Sequence, residues 1–381
     1  MRPSVALGLA ASVLALGAAS AATSAAASGT QTADATDVDR LTVPQLDGQR
    51  SVYSYSGTAP PGSLLKLIRS GNVAGIIFFG ENISSRSQIT SVIGRLNAAQ
   101  RQSPIEEPLL LMTDQEGGQV RRLPGAPAMS AKQIGASADR VSLARSAGTG
   151  AGRNLAGVGM NVNLAPVLGV YRSPGDFLDR FGRSYSNRAS VVRQLAPNVI
   201  QSQQRAGVAA TAKHFPGLGA ASANQNTDEV PVTLNLSRQT LENIDMRPYV
   251  TAIGSGVNLV MPSWAVYPAL DSRPAGLSKR IVKGWLRNKL DFDGVAITDA
   301  MEAGALERFG SMGNRSVLAS HAGMDALLYP GRSVSEGNQG RSGLIKAMRA
   351  GSNSRSDARA SVSRFLDLRP RIGAGGRLSG P

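Results

Sequence analysis

Apolar and polar positions follow two rhythms along this chain. Short apolar runs that stop at polar or glycine residues occur at Gln49–Ser56, Val73–Phe79, Leu109–Asp114, Asn161–Pro166, Val208–His214, Val257–Ser263, Val295–Asp299 and Ala326–Tyr329. Each has the length of a buried strand. Stretches with helical spacing lie between most of them, at Ser63–Ser70, Ser87–Arg101, Arg140–Ala156, Ala189–Ala206, Ser237–Ile253, Ser278–Leu290 and Ser316–Ala322, with a last helix near Asp357–Leu368. Strands alternating with helices imply parallel βα units, and eight of them over about 300 residues fit a single closed α/β barrel of the (β/α)8, TIM-like kind. A doubly wound sheet would call for a Gly-x-Gly-x-x-Gly turn after its first strand. The Gly148-Thr-Gly150-Ala-Gly152 run instead lies inside a helical pattern.

The ends of the chain read differently. Met1-Arg2, an apolar core from Val5 to Leu16 and the small residues Ala19-Ser20-Ala21 have the layout of a secretory signal. The apolar core is shorter than the roughly 20 residues a membrane span needs. Residues 1–22 are therefore expected to be a signal peptide, 23–40 a flexible Ala/Ser/Thr-rich leader, 41–370 the barrel and 371–381 a flexible tail. The expected location is secreted or in the cell envelope, with no transmembrane segment in the mature chain. The absence of Cys removes disulfides, thiolate metal sites and a lipid attachment point together. A net charge of +15 raises the question of nucleic acid, but the arginines are scattered and no basic patch is interleaved with aromatics. The charge fits nonspecific, salt-screened attraction to acidic cell-wall polymers. No specific nucleic-acid partner is expected, and the chain is expected to be a monomer.

In a barrel of this type the chemistry sits at the C-terminal ends of the strands, and polar groups fall there. Leu109-Leu-Leu-Met-Thr runs into Asp114-Gln115-Glu116-Gly117-Gly118, with Arg122 eight positions beyond Asp114. After the fourth strand comes Arg183-Ser184-Tyr185. The fifth ends in Lys213-His214-Phe215-Pro216-Gly217-Leu218-Gly219, the sixth in Met261-Pro262-Ser263-Trp264, and the seventh in Thr298-Asp299. Taken singly, each has an ordinary reading: a helix cap, a solvated arginine, a core methionine, a buried tryptophan. Glu302 reads as the start of the next helix and His321 as a helix-end residue.

Taken together, these strings resemble glycoside hydrolase family 3, above all its bacterial single-domain β-N-acetylhexosaminidases, over roughly Gln45 to Leu368. The resemblance implies a carbohydrate substrate and no cofactor, and no cluster here has metal-ligand spacing. It implies that Asp299 is the nucleophile and that Asp114, Arg122, Arg183, Lys213, His214 and Met261 line the sugar site. Two departures are mild: Gln119 stands where the family has Arg, and Trp264 where it has His.

One departure bears on mechanism. The resembled enzymes carry an Asp-x-His acid/base pair on the loop after the fifth strand, and here the corresponding positions read Asn224-Gln225-Asn226, or Gln225 and Thr227 if counted back from Pro231. Neither pair has a proton to give. The nearest titratable groups are Asp228 and Glu229, which makes them the candidate acid/base. Three outcomes stay open: a loop carboxylate replaces the histidine; the enzyme cleaves only bonds with good leaving groups; or the chain is a sugar-binding pseudoenzyme. The sugar itself, N-acetylhexosamine or plain glucoside, also stays open.

Overall fold

The computed structural model describes residues 36–372, so the expected signal peptide, most of the leader and residues 373–381 lie outside the described residues. Eight parallel strands close a barrel: β1 Ser51–Tyr53, β2 Gly75–Ile77, β3 Leu110–Thr113, β4 Val162–Asn163, β5 Ala209–Phe215, β6 Leu259–Pro262, β7 Val295–Ala300 and β8 Ala326–Leu328. Each pairs with its neighbours in chain order, and β8 returns to β1. These are the eight segments that the apolar pattern marks out.

The alternation of a strand sends every second side chain into the barrel. Leu110 and Met112 on β3, Ala209 on β5, Leu259 and Met261 on β6, and Val295 and Ile297 on β7 share one interior cluster. Their neighbours Leu111, Ala210, Ala212, Val260 and Ala296 pack outward against helices. Continuing the inward parity beyond the strand centres reaches Asp114, Lys213, Met261 and Asp299. The period that builds the core therefore also aims the polar groups at the barrel mouth. Phe365, Leu368 and Ile372 join the same cluster at the opposite end, where the last helix, Arg355–Leu368, plugs the barrel.

The glycine run falls inside the helix Arg140–Ala156, as its pattern implies. A Cβ on Gly148 would lie 2.4 Å from the carbonyl oxygen of Val199, and one on Gly152 2.6 Å from the Ala206 Cβ. The glycines let this helix touch the helix Ala189–Arg205 backbone to backbone. Three features lie outside the sequence pattern. Thr42 and Gln45 form a capping box on a short helix, Val43–Gly48. The helix Val334–Arg349 escaped notice because its glycine-rich, polar sequence blurs the apolar stripe. The stretch from Thr36 to Arg40 corrects part of the expected flexible leader. Thr36 donates to Glu107 at 2.6 Å from Oγ1, Val38–Arg40 forms a helical turn, and Arg359 pairs with Asp39 at 3.1 Å. No helix among the described residues is long and apolar enough to cross a membrane.

Candidate active site

At the C-terminal mouth of the barrel lies a cavity of about 480 Å³. Its walls include Asp114, Arg122, Arg183, Lys213, His214, Met261, Asp228 and Asp299, together with Asn226, Thr227, Glu302 and Arg332. Every substrate-side residue expected from the sequence meets here, as do the expected nucleophile and one of the two candidate acids. Glu229 is not part of the wall.

The floor is an ion network. The Lys213 ammonium donates to Asp114 Oδ1 at 2.6 Å and lies 2.8 Å from Glu116 Oε1. Arg183 grips the same Glu116 with two bonds, Nε to Oε2 and Nη2 to Oε1, each 2.8 Å. Lys213 and Glu116 are buried, while Asp114 and Arg183 keep 17% of their side chains exposed, toward the cavity. Burial alone would raise the Glu116 carboxyl, but Arg183 and Lys213 outweigh it and hold it at about 2. Burial likewise pulls Lys213 down, and Asp114 and Glu116 more than reverse that. Glu116, Arg183 and Lys213 are thus charged.

Glu116 is the functional residue that sequence reasoning passed over. Its signal was parity, since it lies two residues beyond Asp114, on the same side of an extended segment. Its presence also changes Arg183. The planar fork expected to meet a substrate acceptor is occupied by the protein's own carboxylate, and Glu116 fixes the guanidinium where only its remaining donors face the cavity.

His214 sits beside Asp299, with Nε2 3.9 Å from Oδ2, too far for a hydrogen bond. Burial, and then the charges of Arg183 and Lys213, hold the imidazole well below its ordinary range, so it is neutral. Its Nδ1 is buried without a protein partner. A neutral ring can donate from one nitrogen and accept at the other, which suits contact with hydroxyl groups. Below this corner, Tyr267 donates its hydroxyl to the Gly217 carbonyl at 3.0 Å, and Arg172 pairs with the buried Asp245, shaping the turn after Phe215.

Asp299 ends β7, and Oδ1 accepts from the Ala300 amide at 2.8 Å. Burial first, and then the negative charge of Asp228, push its carboxyl up to about 7. Asp228 is raised as well, chiefly by loss of water around it. A carboxyl raised like that of Asp299 keeps its proton at pH values where an isolated carboxyl would have lost it. The loop bearing Asp228 is bound to the segment following Asp299: Gly304 donates its amide to the Asp228 carbonyl at 2.8 Å and Ala305 to that of Thr227 at 3.2 Å. Gly304 is required there, because a Cβ would stand 2.1 Å from the Glu229 carbonyl oxygen. This contact uses Glu229 for its backbone.

One further residue differs from expectation. Glu302 belongs to the cavity wall instead of opening a helix; withdrawal from water, with Glu336 beside it, pushes its carboxyl up to about 8. Trp264 is buried and donates Nε1–H to the Ala300 carbonyl at 2.8 Å, so it braces the end of β7 and presents no face to the cavity. His321 bonds the Ser352 carbonyl at a helix end, away from the site.

A polar pocket closed at one end by charged hydrogen-bonding groups, with the Asp228 and Asp299 carboxyls on its wall, suits a ligand rich in hydroxyl groups. Comparison with known proteins gives the same answer. Residues 41–368 match the glycosyl hydrolase family 3 N-terminal domain. A secreted glycosyl hydrolase of Arthroderma benhamiae is 44% identical over 330 residues, 86% of this chain and 93% of that one. A β-hexosaminidase of Idiomarina loihiensis is 32% identical over 286 residues, 73% of this chain and 82% of that one. Among solved structures, a family 3 β-N-acetylglucosaminidase from a Paenibacillus species superposes with a TM-score of 0.82 at 33% identity; the match covers 89% of this chain and 65%, just under two thirds, of that one. This chain belongs to glycoside hydrolase family 3 and is a glycosidase on the family's (β/α)8 barrel.

Proposed function

We propose that the chain is a retaining glycosidase that removes terminal β-N-acetylhexosamine units, with Asp299 as nucleophile and Asp228 as acid/base. The observation that carries this reading is that Asp228 and Asp299 line one pocket, with the loop of Asp228 tied to the segment after β7 by the Gly304 and Ala305 hydrogen bonds. In the first step Asp299 attacks the anomeric carbon while Asp228 gives its proton to the departing oxygen. Esterification removes the charge of Asp299, so Asp228 holds its own proton less tightly and is left as a carboxylate. It then takes a proton from water, which attacks the anomeric carbon and frees Asp299. Asp114, Arg122, Arg183, Lys213 and His214 hold the sugar hydroxyls, and Met261 supplies an apolar wall. The Asp114–Lys213–Glu116–Arg183 network closes the floor of the pocket, which supports cleavage from the chain end.

The choice of N-acetylhexosamine is supported by the names of the relatives. Export is supported by the N-terminal segment and by the secreted relative, and a cell-wall glycan fragment is the natural substrate of such an enzyme. We take it to act as a monomer, held near acidic polymers by its positive charge.

The test compares an activated aryl β-N-acetylglucosaminide with an unactivated disaccharide. Asp299→Asn should abolish turnover of both; an unchanged rate on the aryl glycoside would overturn the nucleophile. Asp228→Asn should slow the disaccharide by about 10²–10⁴-fold and the aryl glycoside far less. Glu229→Gln should leave that ratio unchanged. Sugar binding without any turnover would leave a binding protein on an enzyme fold, and preference for a glucoside would correct the sugar.

A further inference from the structure

We infer that four consecutive outer helices of the barrel form a docking face for a linear, phosphate-bearing polymer of the cell wall. The inference deepens the reading of the chain as an exported enzyme, and its test reads binding without turnover, so either can fail alone.

The helices are Arg86–Gln100, Arg140–Ala156, Ala189–Arg205 and Arg247–Gly254, which come after β2, β3, β4 and β5 and so stand side by side around the ring. Together they carry eight arginines and no Asp, Glu or Lys, and all eight are at least partly exposed. Three of the arginines reach from one helix to the next, and each meets a neutral acceptor. Arg86 donates to the Asn154 side chain, Arg145 to Asn198 Oδ1 at 2.8 Å, and Arg193 to Thr251 Oγ1 at 3.4 Å. These bonds tie the four helices into one surface. None of the eight forms an ion pair among the described residues. Helices elsewhere on the ring mix the two signs: Arg238 and Lys289 share Glu242, at 2.9 and 3.2 Å, and Lys283 pairs with Asp357 at 2.9 Å. Spread from Arg86 to Arg247, these arginines look scattered in the sequence. The order of the barrel gathers them.

Unpaired guanidiniums on one surface make a positive field that an anion relieves. At 1.5 Å per residue, Arg140 to Arg153 extends about 20 Å and Arg193 to Arg205 about 18 Å, and packed helix axes lie about 8–10 Å apart. A small anion would meet only one or two of these charges, whereas a chain with a charge on every repeat can follow them. The choice of phosphate follows from the guanidinium, whose planar fork grips two phosphate oxygens at once and gives up its water readily. A lipid surface would call for apolar anchors beside the charges. Among the described residues the exposed large apolar side chains are Val230 and Val250, and only Val250 lies on these helices. The face forms the side of the barrel, so a polymer bound there leaves the mouth open to substrate.

The test titrates the full chain into labelled poly(glycerol phosphate), with dextran, phosphatidylglycerol vesicles and duplex DNA in parallel. The phosphate polymer should bind, dextran should not, and affinity should fall as salt rises from about 0.05 to 0.5 M. One variant removes a charge from each helix: Arg95→Gln, Arg153→Gln, Arg193→Gln and Arg247→Gln. It should lose about tenfold or more in affinity, the scale of four exposed charge contacts, and its salt dependence should flatten. A second variant, Lys279→Gln, Arg280→Gln, Lys346→Gln and Arg349→Gln, makes the same change in net charge away from the face and should bind almost as the wild type does. Both should keep the wild-type kcat/KM on an aryl glycoside. Lysine at the four positions of the first variant keeps the charge and should recover most of the affinity. Equal losses in the two glutamine variants would show that net charge alone acts, and would overturn the face. Failure to bind the polymer, tighter binding to vesicles or DNA, or no recovery with lysine would overturn the inference as well.

Discussion

Removing the Glu116 carboxylate would leave Lys213 and Arg183 as buried cations with Asp114 as their one close anion. Breaking a buried ion pair by deleting one partner costs about 3–5 kcal/mol, because the remaining charge cannot be solvated. Glu116→Gln, which keeps the shape, is therefore expected to lose stability on that scale in urea unfolding; a loss below about 1 kcal/mol would show that water already reaches the two cations. Asp299 responds in the opposite sense. Its carboxyl is raised by burial and by Asp228, and the nucleophilic role proposed for it needs the ionised form. Asp228→Asn deletes a negative neighbour, so Asp299 should ionise at lower pH. On an activated aryl glycoside, which needs little acid assistance, the acid limb of the kcat/KM profile should shift downward. An unmoved limb would mean that the two carboxyls do not sense each other.

Among the elements, the contact between two loops matters most. The loop after β5 carries Asp228 and β7 carries Asp299, and backbone hydrogen bonds at Gly304 and Ala305 tie that loop to the segment after β7. In Gly304→Ala the new Cβ would stand 2.1 Å from the Glu229 carbonyl oxygen, so one loop must move. Small misplacements of catalytic groups cost up to about 100-fold. The variant should therefore lose at least tenfold in kcat/KM on an unactivated disaccharide while keeping most of its activity on the aryl glycoside. Equal loss on both would place the damage at the nucleophile or the sugar floor. The helix contact at Gly148 and Gly152 belongs to the same class of effect, a close backbone approach that a single methyl group would block.

For the whole molecule the buried carboxyls fix how stability depends on pH. Asp47, Asp245 and Asp299 are pushed up to about 6, 7 and 7, chiefly by burial. A carboxyl whose folded value is raised binds its proton more tightly in the folded state. Its stabilising contribution is complete below the ordinary range and is lost as pH rises through the folded value. Glu116, held at about 2, works in the opposite direction, but only between its ordinary value near 4.5 and 2. The thermal midpoint should then be highest near pH 4–5 and fall steadily toward pH 8 at constant ionic strength. A midpoint that is flat or rises over that range would show that these groups are solvated in the folded protein.

The local periods determined the barrel and most of its site. A strand alternates with period two wherever it lies, so the run from Ala209 to Lys213, or from Val295 to Asp299, already carries both the core residues and the direction of the polar residue at its end. Where the local signal was weak, as in the glycine-rich helix Val334–Arg349, the element stayed hidden. Proximity across the chain was not encoded in any local period. That Arg183 is occupied by Glu116, that Trp264 braces β7, and that Glu302 joins the wall are consequences of the barrel closing. The same holds for the loop after Gly219, whose sequence offered Asp228 and Glu229 as equals. In the folded chain they differ: Asp228 lines the cavity, whereas Glu229 does not and meets Gly304 through its backbone.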